Sequence, residues 1–281
     1  MIRRALARIV RRSAPDGERP VLLTGAAGIV ATLIRPFLAG AGIRVRLSDV
    51  NRVSDLAPTE TFVKADLRNP RAVGNAVAGC AGIVHLGGIS KDRAFTQLVE
   101  VDMAGVSNVL EAARRHSIKR VVLASSMHVL GFYGREETVT TSSPPRPDSR
   151  YAVSKLFGEH AGALYASKYG LEVACLRLGH VTARREDAEP GAWVAPEDVA
   201  ALVRLGLEHP SIGYEIIHAV APYEGDDLAH QQLASRFGFT FAHRGTTHAQ
   251  AVTDAARHFA YDQAAVEWRG GVFATRDVEP A

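Results

Sequence analysis

Cysteine is scarce in this chain: Cys80 and Cys175 are the only two among 281 residues. Two such residues cannot knit a disulfide scaffold. Both lie in apolar stretches, so they are expected to be reduced core residues of a cytoplasmic protein. No apolar run approaches the ~20 residues that cross a bilayer, which excludes a membrane-spanning helix. The eleven histidines are scattered, and none falls at a metal-ligand spacing such as HExxH, so no metal centre is expected. Internal repeats and low-complexity linkers are missing too, which sets aside solenoids and linker-joined arrays.

An excess of one charge is lacking once its position is considered. The chain carries 33 Lys and Arg against 30 Asp and Glu, a formal charge of +3. Residues 1–19 hold six of the arginines with only Asp16 and Glu18, leaving 27 basic and 28 acidic side chains beyond them. The body is near neutral, so nucleic acid is not an expected partner. The start, "MIRRALARIVRRSAPDGERP", admits two readings. One is an amphipathic surface anchor, with Ile2, Leu6, Ile9 and Val10 near helical spacing; the simpler one is a flexible extension. Without an uninterrupted apolar centre it is not expected to act as a secretory signal, and no membrane partner is expected.

What is present is an alternation of short apolar runs and longer amphipathic ones. "PVLLTG", "RVRLSDV", "TFVKADL", "GIVHLGG", "RVVLASS" and "VACLRLG" read as strands. Between them, helices are expected over Ile29–Ala39, Pro70–Ala78, Phe95–His116 and Tyr151–Tyr169. Near-continuous apolar strands separated by helices predict a parallel sheet covered on both faces. The class is α/β, a doubly wound sheet. After Gly179 the rhythm weakens to a charged loop, a helix opening at Pro196, the strand "GYEIIHAV" and a helix ending at Gly238. From about Thr246 the tail is alanine-rich and then irregular. The expected organisation is a basic extension over 1–19, a dinucleotide-binding domain over 20–180, and a small substrate-binding cap over 181–281 integrated with it.

"VLLTGAAGIVA" puts Gly25 and Gly28 where the first strand gives way to the first helix. Such glycines let the backbone turn tightly and approach a pyrophosphate seated on the helix N-terminus, as in a Rossmann-type fold. Ala31 takes the third glycine's place and is small enough for helix to pack on strand. Asp49 ends the second strand about 20 residues on, where a carboxylate accepts hydrogen bonds from ribose hydroxyls. A 2′-phosphate there would meet its negative charge, so NAD is expected rather than NADP, although Arg52 nearby is of a type that accommodates that phosphate. Ala27, Ile29 and Val30 complete the phosphate turn. Leu67, Leu86, Gly87 and Gly88, at the ends of the third and fourth strands, are expected to border the cofactor, with His85 lining the cleft. Asp66 either reaches the adenine or is a turn carboxylate.

In "SRYAVSKLFGE", Tyr151 and Lys155 lie four apart on a predicted helix and so share a face. A cation beside a phenol favours the phenolate, which can take a proton from an alcohol or, once protonated, return it to a carbonyl. "VVLASSMHVLGFYG" ends a strand at Ser126, where ligands gather in an open parallel sheet. Ser126 is therefore expected to hold the reacting oxygen beside Tyr151, with Ser125 structural. His128 and His180 also lie at strand ends above the expected nicotinamide; for His180 a loop role stands equally. Trp193 reads as a pocket wall or a core anchor.

"TGAAGIVA", "SD" at 48–49, "ADL", "HLGG", "SSMH" and "YAVSK", in this order between about residues 20 and 180, resemble the extended short-chain dehydrogenase/reductases. Through "GCAGIVHLGGIS" and "ASSMHVLGFY" the likeness is greatest to uronate dehydrogenases. The resemblance implies oxidation of a sugar acid's anomeric hydroxyl to a lactone, with hydride passing to NAD. It implies Tyr151 as base, Lys155 as its tuner and ribose ligand, and Ser126 as the positioner of the reacting oxygen. Ser90 and His128 would line the substrate pocket, and a homo-oligomer would bury part of the stripe Leu156, Phe157, Leu164 and Tyr165. Four departures stand out: Met127 replaces an asparagine, His180 a serine, and Asp102 another asparagine, while Ala188–Glu189 lack the arginine that grips a carboxylate. Arg184 or Arg185 would substitute only with the loop redrawn. The expectation is an NAD-dependent oxidoreductase on a sugar-like or nucleoside-like hydroxyl or carbonyl, with a substrate other than a uronate. The alternatives are an epimerase or dehydratase that retains its cofactor and a non-catalytic dinucleotide sensor.

Overall fold

The computed structural model describes residues 19–223 and 228–276. The arginine-rich extension therefore lies almost wholly outside the described residues. Seven parallel strands form one sheet: β1 (Val21–Thr24), β2 (Val45–Asp49), β3 (Glu60–Lys64), β4 (Gly82–His85), β5 (Arg120–Ser126), β6 (Glu172–Leu178) and β9 (Tyr214–Ala219). Their order is β3-β2-β1-β4-β5-β6-β9. The chain winds outward from β1 in one direction and then from β4 in the other, so β1 and β4 are neighbours at the reversal. Ligands collect outside the carboxyl ends of the strands at such a point. A separate pair, β7 (His180–Val181) and β8 (Trp193–Val194), lies beyond the end of β6.

Helices α1 (Ile29–Gly40) and α6 (Pro196–Glu208) cover one face, and α2 (Pro70–Val77), α4 (Ala104–Arg115) and α5 (Arg150–Tyr169) cover the other. Leu23, Ile34, Leu38, Leu47, Leu202 and Val203 form the first layer of core; Leu22, Val77, Ile83, Val109, Leu110 and Val121 form the second. Each such side chain contributes roughly 1.5–3 kcal/mol by leaving water. Local chemistry sets the helix ends. Asn69 accepts from the Arg71 and Ala72 N–H groups to start α2, with Pro70 in its first turn. Ser149 accepts from Ala152 N to start α5, and Gly170, at φ +70°, ends it.

The structure departs from the sequence expectation in two places. The helix expected over Phe95–His116 is not continuous: α3 (Phe95–Leu98) passes into a π-helical turn, Val99–Met103, before α4 begins. Such a turn rotates its residues out of α-helical register, and here it carries Asp102, whose carboxylate meets Lys155. The C-terminal tail is more ordered than its composition implied. After α7 (Leu228–Phe237) it forms α8 (His248–His258), α9 (Gln263–Glu267) and a 3-10 turn, Gly271–Ala274. It is tied back by a bridge between Gly134 and Trp268. No described helix is long and apolar enough to cross a membrane.

Candidate active site

The carboxyl ends of the strands open onto a cavity of about 820 Å³. Its floor begins at the first turn. Gly25 has φ +70°, and a Cβ there would lie 2.6 Å from the Gly87 nitrogen, so two backbones pass as closely as only glycine permits. α1 opens at Gly28 with no side chain capping it. Its first N–H groups therefore face the cavity without an internal partner, which suits an anion. Beside them Asp49 is fixed by two backbone donors, Ala27 N at 3.1 Å to Oδ2 and Asn51 N at 2.8 Å to Oδ1. Close glycine approach, an uncapped helix start and a fixed acceptor together fit a dinucleotide.

Most of the residues expected at the cofactor or substrate line this one cavity: Gly25, Ala27, Gly28, Ile29, Val30, Asp49, Asp66, Leu67 and Leu86 through Gly88 on one side, with Ser90, Ser126 through His128, Tyr151, Lys155 and His180 further along; Arg52, His85 and Trp193 do not. Some alternatives left open by the sequence are decided here, and the place of His85 differs from expectation. The Asp66 carboxylate is taken by Arg68, 2.6 Å from its guanidinium. His85 does not line the cleft but lies buried beneath it, its Nδ1 2.7 Å from Thr24 Oγ1. Burial, reinforced by the Lys155 charge, pushes its imidazole down to about 3. Trp193 is a packing anchor rather than a pocket wall, donating to Thr182 O and lying edge-on to His243. Neither Arg184 nor Arg185 reaches the cavity; Arg184 is paired with Asp187.

At the other end, α5 presents Tyr151 and Lys155, with the ammonium 5.2 Å from the phenol ring centroid. Asp92 steadies the start of that helix by accepting from Tyr151 N at 2.9 Å. Lys155 Nζ donates to Asp102 Oδ1 at 2.9 Å. Burial works against its charge, but Tyr151 and Asp102 outweigh that and hold the ammonium above its ordinary range. Ser126 is almost fully buried at the end of β5. Behind it, Ser125 donates to Glu159 at 2.6 Å, and Glu159 is bound by Arg177 at 2.8 and 2.9 Å within the core. That buried ion pair locks α5 to β6, which sets where the phenol stands relative to the sheet.

His128 is fixed on three sides. Its Nδ1 lies 2.7 Å from Asp148 Oδ2, its face stacks on Phe273 at 4.2 Å between centroids, and its edge meets Tyr151 at 6.1 Å. Asp148 also accepts from Ser149 Oγ at 2.7 Å. A Cβ at either Gly131 or Gly270 would strike this carboxylate, so two glycines leave it room. His180 ties down the charged loop "REDAEP" by accepting from Glu189 N at 3.1 Å. Arg135, Tyr223, His248, Arg269 and Phe273 line the cavity as well and were not singled out from the sequence. Arg135 is held by the carbonyls of Val266 and Ala265, and Arg269 by those of Arg135 and Glu137.

Among known families, the model of the NAD dependent epimerase/dehydratase family matches residues 21–213. The chain belongs to that family. It is 36% identical to the uronate dehydrogenase of Pseudomonas putida over 203 residues, covering 72% of this chain and 76% of that one. It is 37% identical over 168 residues to the L-arabinose 1-dehydrogenase (NAD(P)(+)) of Haloferax volcanii, covering 51% of this chain and 66% of that one. A solved uronate dehydrogenase from Agrobacterium tumefaciens, a variant complexed with NAD, superposes with a TM-score of 0.81 at 31% identity, covering 94% of this chain and 99% of its own. In family and fold the match to the sequence expectation holds; the similarity does not carry a substrate with it.

Proposed function

We propose that this family member is an NAD-dependent oxidoreductase that interconverts a hydroxyl, secondary or anomeric, and a carbonyl on a polyhydroxylated sugar-like or nucleoside-like molecule. The observation that carries the reading is that the Tyr151–Lys155 pair, Ser126 and the Gly25–Gly28 turn open onto one cavity. Ser126 Oγ and the Tyr151 phenol bracket the reacting oxygen. In oxidation Tyr151 takes the hydroxyl proton, and the carbonyl forms as the hydride leaves carbon; reduction runs the same proton back. When bound, NAD supplies the acceptor for that hydride. Lys155 orients on the nicotinamide ribose and stabilises the phenolate. Gly25, Ala27, Gly28, Ile29 and Val30 cradle the pyrophosphate. Asp49 accepts from the adenosine ribose, which favours NAD over NADP.

The segment after residue 180 closes the substrate end. There Ser90, Met127, His128 and His180 face the substrate, with Phe273 stacked against His128. Met127, His180 and the absence of a cation at Ala188–Glu189 argue for a substrate other than a uronate, since a carboxylate gains most from a bidentate arginine and the two arginines that do line the cavity, Arg135 and Arg269, already donate to backbone carbonyls. Val153, Phe157, Leu164 and Tyr169 leave apolar surface exposed along α5, which supports a homo-oligomer. Cys80 and Cys175, free and buried, suit the reducing cytoplasm.

The test is absorbance of NADH on mixing the protein with NAD and a panel of aldoses, uronic acids and nucleosides. Net NADH supports an oxidoreductase. Product without net NADH points instead to an epimerase or dehydratase, the other activities that the family name covers. Tyr151→Phe is expected to lower the rate by ~10²–10⁴; an unchanged cellular activity would favour a sensing role. Absence of calorimetric affinity for NAD and NADH removes the reading altogether.

A further inference from the structure

Asp102, which the proposed roles above leave unused, is paired directly with Lys155. Its side chain is 2% exposed, and both oxygens are engaged. Oδ1 accepts from Lys155 Nζ at 2.9 Å, and Oδ2 accepts from Ile89 N at 3.0 Å. The preceding residue, Gly88, has φ +146°, and a Cβ on it would lie 2.7 Å from Asp102 Oδ1 and 3.2 Å from Lys155 Nζ. Three segments thus converge on one carboxylate: the loop after β4, the π-helical turn and α5. π-helical turns of this kind are found at functional positions more than elsewhere. An asparagine, which the resemblance leads one to expect here, would accept from the lysine without neutralising it.

We propose that Asp102 is a positioning residue for the Tyr151–Lys155 pair, holding the ammonium in place and offsetting part of its charge, so that it sets the pH at which the pair begins to accept substrate protons. The inference rests on the acid–base roles proposed above. An ammonium favours a neighbouring phenolate by its field, and a carboxylate within hydrogen-bonding distance on its far side opposes that field. The other charged or titratable groups facing the pair are His85 beneath Lys155, His128 at the edge of Tyr151 with its partner Asp148, and Asp92 on the Tyr151 nitrogen. Only Asp102 makes an ion pair with Lys155 among the described residues.

Asp102→Asn separates charge from shape. In the ligand-free protein, competitive acetylation followed by mass spectrometry reads the half-labelling pH of Lys155. In turnover with NAD and whichever sugar the panel identifies, the acid limb of kcat against pH reads the pair at work. Both midpoints are expected to fall in Asp102→Asn by about one pH unit, a tenfold change in proton affinity. Asp102→Glu, which keeps the charge, is expected to return both toward wild type. Asp102→Ser repeats the test should the asparagine variant not fold. An unmoved Lys155 midpoint overturns the proposal. So does a Lys155 midpoint that falls while the acid limb stays, because the ion pair would then be purely structural. If the wild type turns over no sugar, the functional reading fails, whereas the acetylation arm still decides whether Asp102 governs Lys155.

Discussion

The imidazole of His128 lies face to face with the ring of Phe273, 4.2 Å between centroids and 29° apart. One ring follows β5 and the other comes from the last described turn of the chain. The C-terminal segment is thereby a wall of the cavity, tied down by the Gly134–Trp268 bridge. Phe273→Ala removes the stack without touching the dinucleotide end. Such ring pairs contribute about 0.5–1.5 kcal/mol, so KM for the sugar is expected to rise by roughly twofold to just over tenfold. The calorimetric Kd for NAD is expected to stay put; a variant that loses NAD and keeps its KM would assign Phe273 to the wrong end of the site.

Gly25→Ala attacks the opposite end. The residue sits at φ +70°, and the new methyl would meet the Leu86–Gly87 backbone, which has no flexible tip to move aside. The left-handed conformation alone costs about 1–2 kcal/mol for a residue with a Cβ. NAD affinity is expected to fall by roughly tenfold or more as the turn shifts. Titration calorimetry of wild type and variant reads it directly, and equal affinities would mean that the turn does not hold the pyrophosphate.

These two ends of the cavity were not equally legible. The strands, the TGAAGIVA turn and the YAVSK pair announce themselves locally, because apolar runs, glycine placement and a four-residue spacing are properties of neighbouring residues. Phe273, Arg135 and Arg269 carry no such signal: they reach the cavity through contacts distant in sequence, among them the pairing of Gly134 with Trp268. Asp102 was legible as an unusual residue type, yet the π-helical turn that aims it at Lys155 was hidden in an unbroken helical pattern. Trp193 reads equally as a pocket wall or a core anchor, because nothing near it in sequence says where its indole N–H goes; the structure spends it on Thr182 O.

His85 gives a pH dependence of stability with a definite sign. Folding depresses its imidazole from an ordinary value near 6.5 to about 3, chiefly by burial. Above pH ~6.5 both folded and unfolded chains hold it neutral, and it contributes no pH dependence. As pH falls below that value the unfolded chain binds a proton that the folded one refuses. Stability is then lost at up to about 1.4 kcal/mol per pH unit until the folded value is reached. His85→Asn, with an acceptor for the Thr24 hydroxyl, is expected to flatten this slope. Urea unfolding of both proteins from pH 7 to pH 4 measures it; parallel curves would show that His85 is not the group responsible.

The most direct test follows the hydrogen itself. A substrate identified in the panel is deuterated at the carbon bearing the reacting hydroxyl and incubated with NAD, using wild type and Tyr151→Phe. Mass spectrometry of the released dinucleotide is expected to find the deuterium there, in step with carbonyl product, from the wild type and at a rate lower by orders of magnitude from the variant. Deuterium that stays in the sugar, or that reaches the dinucleotide as fast without the Tyr151 hydroxyl, would contradict a redox site built on that phenol and its lysine.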